Sequence, residues 1–293
     1  MKKLSLLLLL VISCFVVSAN DGAFYSKGNH LIPITESDIR VQKEILTITR
    51  VDDTASGWGS TFLVNVYYEF FNPGEAKDLI VGFEAPSPDG HVTPGDNKYM
   101  YKGDPYINGF QVIMNGKNLP YQIAHVPYKA KGAYDYDYTR RTEDYYKDGQ
   151  VQDMSFEQYM DFVNANFDNP DECWEFYGVL YYYVYHFNAH FEPGVNIIQH
   201  TYTTKGSALV MMDYMFDYIL TAANRWANNG IDDFTLVLDL GDLTGVYYVI
   251  EGVDAEEWKE ESGKVILRKN NFHPEGELSI GKRGEYYEEY DDE

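Results

Sequence analysis

From Ile45 onward, the segment Val41 to Val51 alternates apolar and polar side chains, the period of a strand with one buried face. Phe62 to Phe71 reads as a second strand, ended by the turn sequence Asn72-Pro73-Gly74, and Leu79 to Ala85 follows as its expected hairpin partner. Phe110 to Met114 and Tyr121 to Val126 flank Asn115-Gly116-Lys117-Asn118, where Asn-Gly is a strong hairpin signal. Tyr181 to Phe191 and Val195 to Thr204 surround Glu192-Pro193-Gly194, which predicts a tight hairpin. Further strands are expected at Phe216 to Leu220, Phe234 to Leu240, Val246 to Ile250 and Val265 to Leu267, with a short acidic helix over Val253 to Glu261. The pattern predicts a mainly β protein, with antiparallel β-sandwich regions of immunoglobulin-like character.

The pattern changes near Tyr128. Through Asp153 the chain is polar, with tyrosines set among charges. Ser155 then opens a predicted helix: Ser155 and Gln158 have capping-box spacing, and Phe156, Tyr159, Met160, Val163 and Phe167 share one face. This divides the chain into an N-terminal β region at 20–127, a partly helical, tyrosine-rich insertion at 128–174, a C-terminal β region at 175–284 and an acidic tail at 285–293.

Residues 1–19 read as an export signal. Lys2 and Lys3 precede the apolar run Leu4 to Val17, and Val17-Ser18-Ala19 offers a cleavage site before Asn20. Val11-Ile12-Ser13-Cys14 also resembles a lipobox, which would anchor the chain through Cys14. The expected location is the periplasm or the extracellular space, with no membrane span after cleavage. Cleavage after Ala19 leaves Cys173 as a single thiol, so the fold has to rest on its core.

Charge narrows the function. The chain has 46 acidic and 23 basic residues, a formal charge of −23, which excludes ordinary nucleic-acid binding. The familiar nucleotide, serine-esterase and zinc-peptidase motifs do not occur. His186, His190 and His200 invite a zinc reading. With Pro193-Gly194 as a two-residue turn, however, Phe187 would pair with His200, turning His200 away from the other two. Asp52-Asp53, Asp232-Asp233 and Asp239 with Asp242 lack the spacing of a calcium loop. No metal or cofactor is therefore expected. Among 27 tyrosines, Tyr134, Tyr136, Tyr138, Tyr145, Tyr146 and Tyr181, together with Trp226, are candidates for stacking on sugars or anchoring a partner. Their alternative role is to cover sheet faces and the rim of the core.

Three stretches carry a family resemblance. They are Asn20-Asp21-Gly22 through Gly28-Asn29-His30-Leu31-Ile32-Pro33-Ile34, Glu36-Ser37-Asp38-Ile39 and Lys43-Glu44-Ile45-Leu46-Thr47-Ile48; Glu69-Phe70-Phe71-Asn72-Pro73; and Tyr218-Ile219-Leu220-Thr221 with Trp226, Ile231 and Phe234. Together they resemble an uncharacterised family of exported bacterial proteins common in Bacteroidetes, some of which carry a YARHG module. That module's sequence does not occur in this chain. The resemblance implies export and no particular activity. The expectation is an exported, non-enzymatic protein that binds an envelope protein or glycan or serves envelope structure. The alternative is an envelope hydrolase using carboxylates that sequence cannot pair.

Overall fold

The computed structural model describes residues 27–29, 32–33, 37–51, 60–86, 107–129, 146–155, 179–209 and 211–284, together with 157, 158, 161 and 165. In chain order the strands are β1 (Lys27–Asn29), β2 (Ile32–Pro33), β3 (Arg40–Val51), β4 (Thr61–Asn72), β5 (Lys77–Pro86), β6 (Ile107–Met114), β7 (Lys117–Asn118), β8 (Gln122–Lys129), β9 (Tyr146–Lys147) and β10 (Gln150–Val151). They continue as β11 (Val179–Phe191), β12 (Gly194–Lys205), β13 (Ser207–Leu209), β14 (Met212–Ile219), β15 (Ile231–Asp239), β16 (Val246–Ile250), β17 (Lys259–Glu261), β18 (Lys264–Phe272) and β19 (Leu278–Arg283).

An eight-stranded sheet in the order β17-β18-β15-β3-β4-β12-β6-β7 forms one layer. Its neighbours run antiparallel except for the parallel pair β15–β3. A four-stranded sheet, β2-β5-β11-β8, and a third sheet, β1-β14-β19-β16 with β13 on β14, supply the packing partners. Strands from 40–127 and from 179–284 therefore interleave in one sheet. The protein is mainly β, with antiparallel sheets packed face to face. Its eight-stranded layer is broader than an immunoglobulin half-sandwich.

Alternation builds this layer. Phe62, Val64, Val66, Tyr68 and Phe70 of β4 are buried, as are Ile198 and Tyr202 of β12, Leu46 and Ile48 of β3, and Phe234, Leu236 and Leu238 of β15. Phe83 of the four-stranded sheet reaches Tyr202 at 5.9 Å between ring centroids. Phe216 of the third sheet stacks on Phe62 at 4.8 Å. All three sheets share one apolar core. Gly206 lets β12 pass into the third sheet, because a Cβ there would lie 2.6 Å from Phe62 Cε2 and 2.8 Å from the Met215 carbonyl oxygen.

Two expected hairpins are not hairpins. β4 pairs with β3 and β12, whereas β5 pairs with β11 and β2. Phe191 pairs with Lys77, and Gly194 pairs with Asn72, so β11 and β12 lie in different layers. The β4–β5 and β11–β12 segments run side by side as one long antiparallel ribbon that doubles over at residues 73–76 and 192–193. Both Pro-Gly sequences mark the corner of this ribbon rather than a reversal between paired neighbours. Two asparagines hold the corner. Asn72 Nδ2 donates to the carbonyls of Glu75 (2.9 Å) and Phe191 (3.1 Å), and its Oδ1 accepts from Gly74 N–H (3.1 Å). Asn196 Nδ2 donates to the Glu192 carbonyl (2.7 Å), and its Oδ1 accepts from Glu192 N–H (3.0 Å).

The Asn115-Gly116 turn does form, with φ of 50° and 77°, but it pairs β6 with the two-residue β7. The chain then leaves this layer, and β8 pairs with β11. The expected acidic helix is a 3-10 turn at Ala255–Glu257, capped reciprocally by Asp254 and Glu257, followed by β17. In the insertion, Ser155 and Gln158 exchange both capping-box hydrogen bonds, at 2.8 and 3.2 Å. The apolar face expected for that helix lies outside the described residues, as do 1–19 and 285–293. No described helix is long and apolar enough to cross a membrane.

Candidate functional site

The eight-stranded sheet buries one face and leaves the other open to solvent. On the open face, register aligns residues in rows. Thr47, Asn65, Thr201 and Gln111 form one row across β3, β4, β12 and β6. Ile45, Tyr67, Gln199 and Ile113 form the next. Side chains alternate through this part of each strand, so these residues face solvent because their neighbours Leu46, Val66, His200 and Val112 face the core. These eight residues, with Val66 and His200 between them, line a concavity of about 260 Å³.

The lining holds no acid, lysine or arginine. Thr201 Oγ1 donates to Asn65 Oδ1 at 2.7 Å, which leaves the Asn65 Nδ2 protons available. The amides of Gln111 and Gln199 and the Thr47 hydroxyl make no side-chain hydrogen bond among the described residues. Tyr67 OH donates to Glu69 Oε1, two residues along the same strand and face, at 2.9 Å. That bond ties the hydroxyl end of Tyr67 to a side chain of its own strand. Partial burial and the Glu69 hydrogen bond both push the Tyr67 hydroxyl above its ordinary value, so it stays neutral. Charge sits at the rim, where Lys43 Nζ pairs with Asp233 at 2.7 Å, a contact that raises the lysine further. Lys264 pairs with Asp239 at 2.9 Å, and Arg268 holds Glu261 bidentately at 2.8 and 3.2 Å.

Beneath this face is a buried polar layer. Glu44 is fully buried opposite Tyr68 in the β3–β4 register. His200 lies among the rings of Tyr68, Phe83, Phe110 and Tyr202 at 5.7 to 6.0 Å. Burial holds the Tyr218 hydroxyl well above its ordinary value, helped by nearby Tyr68, Tyr202 and Glu44.

The residues singled out from sequence are dispersed. Trp226 is a correction: it is 1% exposed, with its ring 4.4 Å from that of Phe70, and a buried indole cannot stack on a ligand at the surface. Tyr146 is half-buried and packs with Val151 of the β9–β10 hairpin against Ile80, Ala124 and Val184. Tyr181 pairs with Pro127 in the β11–β8 register. Tyr134, Tyr136, Tyr138 and Tyr145 lie outside the described residues.

The Phe187–His200 pairing does not form. Phe187 pairs with Val81, and His200 pairs with Val66 and Val112 in the other layer. His190 Nδ1 meets Asp78 Oδ1 at 2.7 Å, and that hydrogen bond raises its pKa. Burial lowers that of His186. No three metal-ligating side chains come together among the described residues, which do not include Cys173. Asp232 and Asp233 are engaged by Asn228 and Lys43, and Asp242 by Thr244 and Lys282.

Sequence reading passed over Asn65, Tyr67, Gln111, Gln199 and Thr201. The available signal was the polar side of two alternating strands, Asn65-x-Tyr67-x-Glu69 and Gln199-x-Thr201-x-Thr203.

No family profile and no curated protein matches the chain. Among solved structures, it is similar to a candidate nutrient-binding protein from Legionella pneumophila, with a TM-score of 0.52 and 15% identity over 88% of this chain and 71% of that one. It also overlaps an M1 zinc metallopeptidase from Deinococcus radiodurans (TM-score 0.34, 10% identity, 85% of this chain and 43% of that one). The overlap with yeast LTA4 hydrolase is similar (TM-score 0.37, 10% identity, 84% and 29%). The first likeness shows a shared fold and nothing of activity. The two peptidase-type overlaps carry no argument.

Proposed function

We propose that the chain is an exported, non-enzymatic binding protein of the bacterial envelope, and that the open face of its eight-stranded sheet is the binding surface. The observation that carries this reading is the unused hydrogen-bonding capacity of that face. Several charged side chains around that face are paired, as Lys43 is with Asp233 and Lys264 with Asp239. The amides of Gln111 and Gln199, the Asn65 Nδ2 protons and the Thr47 hydroxyl instead converge on one concavity. Pockets that bind ligands combine apolar walls with a few such convergent polar groups, and Ile45, Ile113 and the Tyr67 ring supply the apolar part.

Export rests on the signal-like segment ending at Ala19 and on the resemblance to exported Bacteroidetes proteins. A nutrient-binding role for the Legionella protein is compatible with this reading and lends it no weight beyond the fold. A hydrolase acting through paired carboxylates is the weaker reading. The carboxylates nearest the face, Glu69, Asp233 and Asp239, are held by Tyr67, Lys43 and Lys264. No carboxylate lines the concavity.

The test is hydrogen exchange on the chain from Asn20, with and without fractions of bacterial envelope. Binding at this surface slows amide exchange in β3, β4, β6 and β12 without cleaving any component of the fraction. Protection confined to other strands, or turnover of the added material, counts against the reading.

A further inference from the structure

The chemistry of this concavity identifies a ligand class. We infer that the face binds a neutral saccharide, held by the Asn65, Gln111 and Gln199 amides with one sugar ring on the Tyr67 ring. The inference rests on the binding-surface reading and narrows it.

Three observations point the same way. First, about a quarter of the residues in this protein are charged, yet none of the ten residues lining the concavity is an acid or a lysine or arginine. A chain of formal charge −23 also repels anionic glycans such as uronates before contact. Both features select an uncharged ligand. Second, the free polar groups are amides and a hydroxyl. Each Gln amide offers donors and an acceptor side by side, which matches neighbouring sugar hydroxyls that donate and accept in turn. A ligand with donors alone or acceptors alone would leave half of this set unpaired. Third, Tyr67 lines the concavity with its hydroxyl already tethered to Glu69. An aromatic ring tethered at its tip offers a surface for the C–H face of a pyranose, with less rotamer freedom left to lose.

Size fits as well. A concavity of about 260 Å³ suits one sugar unit rather than a drug-sized ligand. The polar rows continue across four strands, roughly 14 Å at about 4.8 Å per strand, which gives adjoining units a place to lie. The site therefore suits a short stretch of a neutral chain better than a free monosaccharide.

The experiment is calorimetric titration of the full chain from Asn20 with cellohexaose, maltohexaose, xylohexaose, mannohexaose and chitohexaose. A galacturonate hexamer serves as the anionic counterpart, and each titration is followed by hydrogen exchange. At least one neutral oligosaccharide is expected to bind with a Kd of roughly 10 μM to 1 mM. Gln199→Ala and Tyr67→Ala should each weaken it by about tenfold or more, while Val249→Ser on the third sheet leaves it unchanged. Unchanged melting temperatures would show that these exposed positions were altered without unfolding the protein.

Absence of neutral binding at about 5 mM overturns the inference, as does binding that ignores both face variants. If the galacturonate, or the envelope fraction added in a parallel exchange run, instead protects β4 and β12, the ligand class is wrong and the binding surface stands. If none of these additions protects those strands, both readings fall.

Discussion

Replacing Asn72 by alanine removes three hydrogen bonds from the corner where the β4–β5 and β11–β12 ribbon doubles over. Asn72 is 1% exposed, and its bond to the Phe191 carbonyl is fully buried. Orphaning that buried acceptor costs about 1–3 kcal/mol. The bonds to Glu75 O and Gly74 N are partly buried, and solvent replaces them at a net loss of about 0.5–1.5 kcal/mol each. With some relaxation, the expected destabilisation is about 2–4 kcal/mol, or roughly 5–10 °C in melting temperature for a chain of this size. Chemical denaturation followed by tyrosine and tryptophan fluorescence measures it. Asn72→Asp sharpens the test. It conserves volume and the acceptor for Gly74 N–H, but it turns a carboxylate oxygen toward the Glu75 and Phe191 carbonyls. It should therefore be at least as destabilising as alanine. An alanine variant within about 0.5 kcal/mol of the native protein, or an aspartate variant more stable than alanine, would refute the claim that these bonds hold the corner.

Other consequences follow from the same geometry. Trp226→Ala should cost about 3–5 kcal/mol in a denaturant titration, because it empties a site against Phe70 and Phe191. Gly82→Ala places a Cβ 2.3 Å from the Tyr185 carbonyl oxygen on the neighbouring strand, so β11 has to shift and a loss of about 1–3 kcal/mol is expected in the same assay. In a proton NMR titration His190 should show a midpoint above the ordinary 6.5 and His186 one below it, and Asp78→Asn should bring His190 back toward 6.5. The signs differ: the His190 contribution to stability is present below pH 6.5 and fades as pH rises through its raised pKa. The His186 contribution is present above 6.5 and fades as pH falls through its lowered pKa.

Strand positions were legible in the sequence because half-buried strands write a two-residue period, and β3, β4, β12, β15 and β16 fall where the alternation places them. Pairing was not legible in the same way. Pro73-Gly74 and Pro193-Gly194 announce a change of direction, but local turn chemistry does not say whether the chain returns beside its neighbour or crosses to another layer. That depends on contacts over a hundred residues apart, such as Asn72 with Phe191. The Phe187–His200 pairing failed for this reason, since it assumed a reversal where the ribbon folds over.

Trp226 failed for a different reason. A large indole between polar residues suits either an exposed platform or the junction of three sheets, and only packing decides. Of the residues that carry the family resemblance, Phe70, Tyr218, Ile219, Leu220, Trp226, Ile231 and Phe234 are buried, whereas Ile45 and Thr47 line the open face. The buried ones record how the sheets meet and say little about what the open face holds. The concavity itself was readable only in part. The polar sides of β4 and β12 are visible as alternating Asn65, Tyr67, Gln199 and Thr201, but their convergence needs the β4–β12 register.

The side-chain amide resonances of Asn65, Gln111 and Gln199 offer the most direct test of the account. Cellohexaose and the other neutral oligosaccharides would be titrated into isotopically labelled protein while these NH₂ signals are followed. The account predicts that the three sets shift together and saturate with a single Kd, alongside the backbone amides of β4 and β12. Amides that stay fixed while a ligand binds elsewhere would contradict the claim that the open face of the eight-stranded sheet is the site.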